Sequence, residues 1–150
     1  MSKDVKKLKI ANYAIWVMLV LFAISSICWL RPRDTVTVNN FVTDKKVYSV
    51  GEEIFIESDS ETHFTGKSIY DIRLLCDGGR YLLKGFTVTT SPTSLKQTRT
   101  SVGVIPAIPA PDSCVVQTKA THEVQILPFA KRDYFNTWQS NSFVVNKAKE

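Results

Sequence analysis

Hydrophobic and polar positions follow one pattern before residue 30 and another after it. Residues 10–30 read IANYAIWVMLVLFAISSICWL, with no charge and no polar face. Beyond that, apolar positions recur every second residue, as in Thr35-Val36-Thr37-Val38 and in the set Tyr70, Ile72, Leu74, Cys76. The first pattern predicts a helix that is apolar all round, the second a series of strands.

At roughly 1.5 Å of rise per residue, a helix over residues 10–30 crosses a bilayer core of about 30 Å. Tyr13 and Trp29 suit the headgroup zone at its two ends. A removable signal peptide is the main rival. Its apolar core would be about 7–15 residues and would end in a small-x-small site. Ile27-Cys28-Trp29-Leu30 offers no such site, and Ile27 is too large for lipidation at Cys28. The expectation is an uncleaved signal-anchor. Lys3, Lys6, Lys7 and Lys9 precede the span, against Arg31 and Arg33 after it. That asymmetry keeps residues 1–9 in the cytoplasm as a basic tail and sends the rest across. No Gly-x-x-x-Gly pattern marks a dimer interface in the span.

Residues 31–34 read as a linker, 35–146 as one domain and 147–150 as a polar tail. Strands are expected at 35–38, 41–50, 52–57, 69–76, 80–89, 96–105, 114–126 and 138–145, with the first two taken as one continuous strand. Polar loops are expected at 58–67, 90–95 and 128–136. Asp77-Gly78-Gly79 is a hairpin turn, because Gly accepts positive φ. Pro106, Pro109 and Pro111 mark a crossing. About seven strands over this length predict an all-β sandwich.

The layout resembles an immunoglobulin-like or fibronectin-like domain. The features that carry the likeness are the opening Val47-Tyr48-Ser49-Val50-Gly51-Glu52 and the crossing Ile105-Pro106-Ala107-Ile108-Pro109 before the strand at Cys114. The resemblance covers residues 35–146 and is architectural. The antibody arrangement of cysteines and tryptophan is absent. It implies an Ig-like β-sandwich of strands A, B, C, C′, E, F and G after one N-terminal transmembrane helix.

Composition adds constraints. Formal net charge is +5, yet much of the excess lies in residues 1–9. The outer part is near neutral, which argues against nucleic-acid binding. Outside the cytoplasm, Cys76 and Cys114 are expected to be oxidised to each other, the alternative being two buried free thiols. In the implied sandwich, C and F are neighbours, so the end of C at Cys76 meets the start of F at Cys114. Cys28, in the span, is either a bystander or a cross-link. No N-x-S/T sequon follows the span, which leans toward a bacterial or bacteriophage origin.

The same architecture places the start of A, the B–C loop and the F–G loop at one pole, expected to face the bilayer. The B–C loop carries Glu61, Thr62, His63, Phe64, Gly66 and Lys67. The F–G loop carries Phe129, Lys131, Arg132, Tyr134 and Phe135. Rings interleaved with basic heads suit an anionic surface or a membrane partner. The alternative is that these rings pack under the last hairpin.

No catalytic pattern is present. His63 and His122 are the only histidines, and His122 and Glu123 are strand neighbours that face opposite ways. Glu52, Glu53, Asp59 and Glu61 lack the spacing of a calcium loop. No catalytic residue, cofactor or metal is expected. The expected function is a membrane-tethered, non-enzymatic binding or assembly module, single-pass, with its domain periplasmic on a bacterial inner membrane. Its partner would be a protein of an envelope complex, a secretion or conjugation apparatus, or a phage-exclusion target. The alternative is a tethered enzyme or enzyme inhibitor acting on envelope substrates, with His63, Lys131 and Arg132 as its polar cluster. A eukaryotic cell-surface fragment is a third reading, disfavoured by the missing sequons.

Overall fold

The computed structural model describes residues 3–30 and 35–147, which fall into two units. The expectations placed on residues 31–34 and 148–150, and on the side chains of Cys28 and Trp29, lie outside the described residues.

The first unit is one helix, α1 (Lys3–Leu30, 28 residues). Within it, Val5–Ile27 (23 residues) contains an 18-residue window with a mean hydropathy of 2.0, and is long and apolar enough to cross a membrane by length and composition. None of that stretch is buried against protein. The helix takes in Lys3, Lys6, Lys7 and Lys9, so the basic tail is itself helical.

The second unit has nine strands among the described residues: β1 (Val36–Thr43), β2 (Val47–Ser49), β3 (Glu53–Thr62), β4 (Gly66–Cys76), β5 (Gly79–Thr90), β6 (Thr93–Val104), β7 (Asp112–Leu127), β8 (Ala130–Gln139) and β9 (Phe143–Asn146). One sheet runs β1-β3-β6. The other runs β2-β9-β7-β4-β5, with β8 also on β7. β9 and β8 lie one after the other along β7, against residues 112–114 and 117–127. β2 pairs parallel with β9, and the other pairings are antiparallel. The count exceeds seven because the first expected strand is broken into β1 and β2, and because β8 occupies most of the loop expected at 128–136.

The three expected loops are corrected to tight connections. Residues 58–62 belong to β3, paired with β1 on one side and β6 on the other, so only His63, Phe64 and Thr65 connect it to β4. Ser91 and Pro92 alone separate β5 from β6, and Pro128 and Phe129 alone separate β7 from β8. The reason is common to all three. A strand is held by backbone hydrogen bonds, and polar side chains can fill it when neighbours bond them, as Ser58 Oγ and Thr98 Oγ1 do at 3.1 Å.

The core collects at one end of this domain. Tyr48, Ile54, Leu74, Ile105, Val116 and Val145 come from both sheets and are all but fully buried. The Tyr48 ring meets Phe143 edge-on at 5.0 Å, and its hydroxyl donates to Asp44. Burial raises the Asp44 carboxyl, but hydrogen bonds from Tyr48 and Arg99 outweigh that and hold it below its ordinary value. Cys76 and Cys114, opposite each other in the β4–β7 register, form a disulfide at this end with Cα atoms 4.1 Å apart.

Candidate functional site

The other end of the domain is built differently. β1 begins there, with Val36 opposite Thr62 at the end of β3. Thr35 ties the pole together: its carbonyl accepts from the His63 N–H at 2.9 Å, and its Oγ1 accepts from Asn136 Nδ2 at 3.0 Å. Thr37 Oγ1 lies 3.0 Å from His63 Nε2. β4 starts at Gly66, opposite Val124. A Cβ at Gly66 would come within 2.0 Å of the Glu123 carbonyl oxygen, so only glycine allows β7 to approach here.

One row crosses the inner face of the larger sheet at this level. Ser68 on β4 pairs with His122 on β7, which pairs with Tyr134 on β8. Ser68 Oγ lies 2.9 Å from His122 Nδ1 and 3.0 Å from Thr90 Oγ1. His122 is 0% exposed. Phe64 meets its ring edge-on at 5.2 Å, with Tyr70 at 6.0 Å and Trp138 at 6.3 Å. Burial pushes the imidazole pKa down, which favours the neutral ring. In the tautomer where Ser68 donates to Nδ1, the proton sits on Nε2. Among the described residues, His122 Nε2 and Tyr134 Oη are the buried side-chain polar atoms with no hydrogen-bond partner.

Beside this row the sheets part around a cleft of about 350 Å³. Val36, Val38 and Phe41 of β1 form one wall, and Phe86, Val88 and Trp138 form the facing one. Tyr70 stacks on Phe86 at 5.0 Å, and burial raises its phenol pKa. None of the lining residues is charged. The cleft has a sequence cause. Along β3 the lining positions change from Ile56 to Ser58 and Ser60, and small side chains opposite large rings leave space unfilled.

The expected site residues divide between two faces. His63 is held by Thr35 and Thr37 as above. Phe64 is 6% exposed and packs on His122 rather than facing solvent. Lys67 is exposed, one residue out of phase with buried Ser68. Phe129, 87% exposed, occupies the β7–β8 turn. Lys131, Arg132, Tyr134 and Phe135 lie on β8, which corrects their placement in a loop. Strand side chains alternate, so these four cannot form one surface. Lys131 and Phe135 are exposed, Phe135 at 74%, whereas Arg132 and Tyr134 are half-buried. Lys131 Nζ pairs with Glu123 at 2.7 Å and lowers the Glu123 pKa. The Arg132 guanidinium lies 5.4 Å from the Tyr134 ring centre.

Ser68, Thr90 and His122 were not singled out from the sequence. The signal was present: Ser68 continues the phase of Tyr70, Ile72 and Leu74, and His122 that of Ala120 and Val124. Cys76, Asp112 and Cys114 lie close enough to share a metal, but both sulfurs are committed to the disulfide.

No family model matches the sequence, and no curated protein matches it. Among solved structures, the domain is similar to the sporulation control protein Spo0M from Bacillus subtilis, at 12% identity and a TM-score of 0.43. The match covers 76% of this chain and 50% of that one, so this chain spans half the length of the Spo0M chain.

Proposed function

We propose that this protein is a membrane-tethered, non-enzymatic binding or assembly module. The observation that carries the reading is the uncharged run from Ile10 to Ile27, apolar on every side, within the stretch Val5–Ile27 that is long and apolar enough to cross a membrane. A helix of that kind needs lipid or another apolar partner. Four lysines before the span against two arginines after it favour a cytoplasmic N-terminus and a domain on the outer face of a bacterial inner membrane. The sheet orders support an immunoglobulin-like sandwich: β1-β3-β6 corresponds to A-B-E, and β9/β8-β7-β4-β5 to G-F-C-C′.

The enzyme alternative finds little support. Lys131 projects to the outer face and Arg132 to the inner one, so they do not converge with His63. Ser68 and His122 resemble a nucleophile and base, but both are 0% exposed and no substrate reaches them.

Photoreactive residues at Phe129, Phe135 and Leu82, all exposed, test the reading in cells. The expected result is a discrete protein adduct at one position, lost when a cleavable signal peptide replaces residues 1–30. Lipid adducts alone at all three positions would overturn it.

A further inference from the structure

We propose that the outer face of the larger sheet docks on the same face of a second copy of this chain, about a two-fold axis lying along the row Ile69–Thr121–Phe135. This names a partner for the binding module and so rests on that reading.

Odd-numbered positions of β4, β7 and β8 form this face, since buried Ser68 and Ala120 mark the even ones as inward. Strand pairing sets the outward side chains in rows. The middle row carries two exposed apolar side chains, Ile69 at 48% and Phe135 at 74%, with Thr121 between them. The rows on either side of it are charged. In one, Lys67 lies opposite Glu123, and in the other, Asp71 lies opposite Lys119. The four charges make a checkerboard, with each sign diagonal to its like.

A checkerboard is complementary to its own image. A two-fold turn about the middle row carries each charged row onto the other. Lys67 then faces Asp71 of the second copy, and Lys119 faces its Glu123, each contact made twice. On β8, Asp133 meets Thr137 and Lys131 meets Gln139, so no like charges meet on these strands. Lys67 and Lys119 are not ion-paired among the described residues. Asp71 and Glu123 each hold one cation, Arg73 at 2.9 Å and Lys131 at 2.7 Å, and a carboxylate has lone pairs for another. Ile69 and Phe135 fall on their own counterparts, which covers the exposed apolar surface. An axis along the strands would also oppose unlike charges, but it would set Phe135 over Thr87, opposite Ile69 on β5, with no apolar contact for the ring. Four strands about 4.8 Å apart make a face only about 20 Å wide, which suits weak, reversible pairing.

The test uses membranes from cells expressing the full chain, with Cys28→Ser so that only added thiols react, Cys76 and Cys114 being held in their disulfide. Asp133→Cys and Thr137→Cys are carried on differently tagged copies, co-expressed and treated with a short bismaleimide. A mixed adduct is expected. Neither variant should link to itself, because like positions lie four residues, roughly 14 Å, apart along the strand. Lys119→Glu on both copies turns two attractions into two repulsions and should lower the adduct about tenfold. Lys119→Glu on one copy with Glu123→Lys on the other sets unlike charges together again and should recover it. No mixed adduct, an adduct each variant forms equally alone, or a Lys119→Glu chain that pairs as before would overturn the proposal. A loss that the crossed charges do not recover would also overturn it. Such a failure beside a discrete photo-adduct to a different protein would leave the binding module standing without self-pairing.

Discussion

Ser68 and His122 sit opposite each other on β4 and β7, fully buried and joined by a 2.9 Å hydrogen bond. A polar pair at the heart of an inner face must be satisfied or costly.

Ser68→Ala removes the partner of a buried ring nitrogen. We expect a loss of about 1–3 kcal/mol, read by urea unfolding of the full chain in detergent. The double change Ser68→Ala with His122→Leu should cost less than the two single losses added together, because it leaves no orphaned ring nitrogen. Additive losses would show that the bond does not couple the two residues.

His122 gives the domain a pH dependence whose sign is fixed by burial. The folded-state pKa is lowered, so the unfolded chain binds the proton more readily. Stability is therefore fully present above the unfolded value of about 6.5 and falls as pH drops toward the folded value. The slope is at most about 1.4 kcal/mol per pH unit. Denaturation midpoints at stepped pH should show this fall, and His122→Gln should flatten it. The carboxylates of Asp44 and Glu52, both held below their ordinary pKa values, act only in a lower window.

Gly66→Ala should be far more damaging than its size implies. The added methyl meets backbone oxygen rather than a side chain that can swing away. We expect a loss of about 2 kcal/mol or more, together with faster hydrogen exchange along the first residues of β4.

Replacing Cys76 and Cys114 together by Ala opens a loop with a sequence separation of 38. The chain-entropy relation puts the loss at about 4 kcal/mol. Chemical unfolding of the variant against the oxidised parent measures it. Equal midpoints would refute the estimate.

The sequence was most readable where one physical effect dominated. The uncharged run at residues 10–30 could hardly be anything but an apolar helix, and the alternation from Tyr70 to Cys76 marked a strand and its inner face. The cysteine pairing followed from the implied C–F adjacency. Reading failed where polar residues build strands. Ser58-Asp59-Ser60-Glu61-Thr62 looks like a loop, yet it is the middle of a sheet, because hydrogen bonding to two neighbours does not depend on side-chain polarity. Lys131 to Gln139 hid β8 in the same way. The assumption of a loop then merged Arg132 and Tyr134 with Lys131 and Phe135, although a period of two sends the pairs to opposite faces. His122 was passed over as an ordinary histidine. Its position in phase with Ala120 and Val124 was the available clue, but the cleft beside it arises from packing between distant strands.

The disulfide has a consequence beyond the loop it closes. A one-residue slip of β7 against β4 would turn His122 outward and Glu123 inward while Ser68 kept its face. A covalent pin at Cys76 and Cys114 forbids that slip along the whole ladder, which runs back to Gly66 and Val124. The bond thus acts as a register lock: oxidation at one tip of the domain dictates which side chains line the interior at the other.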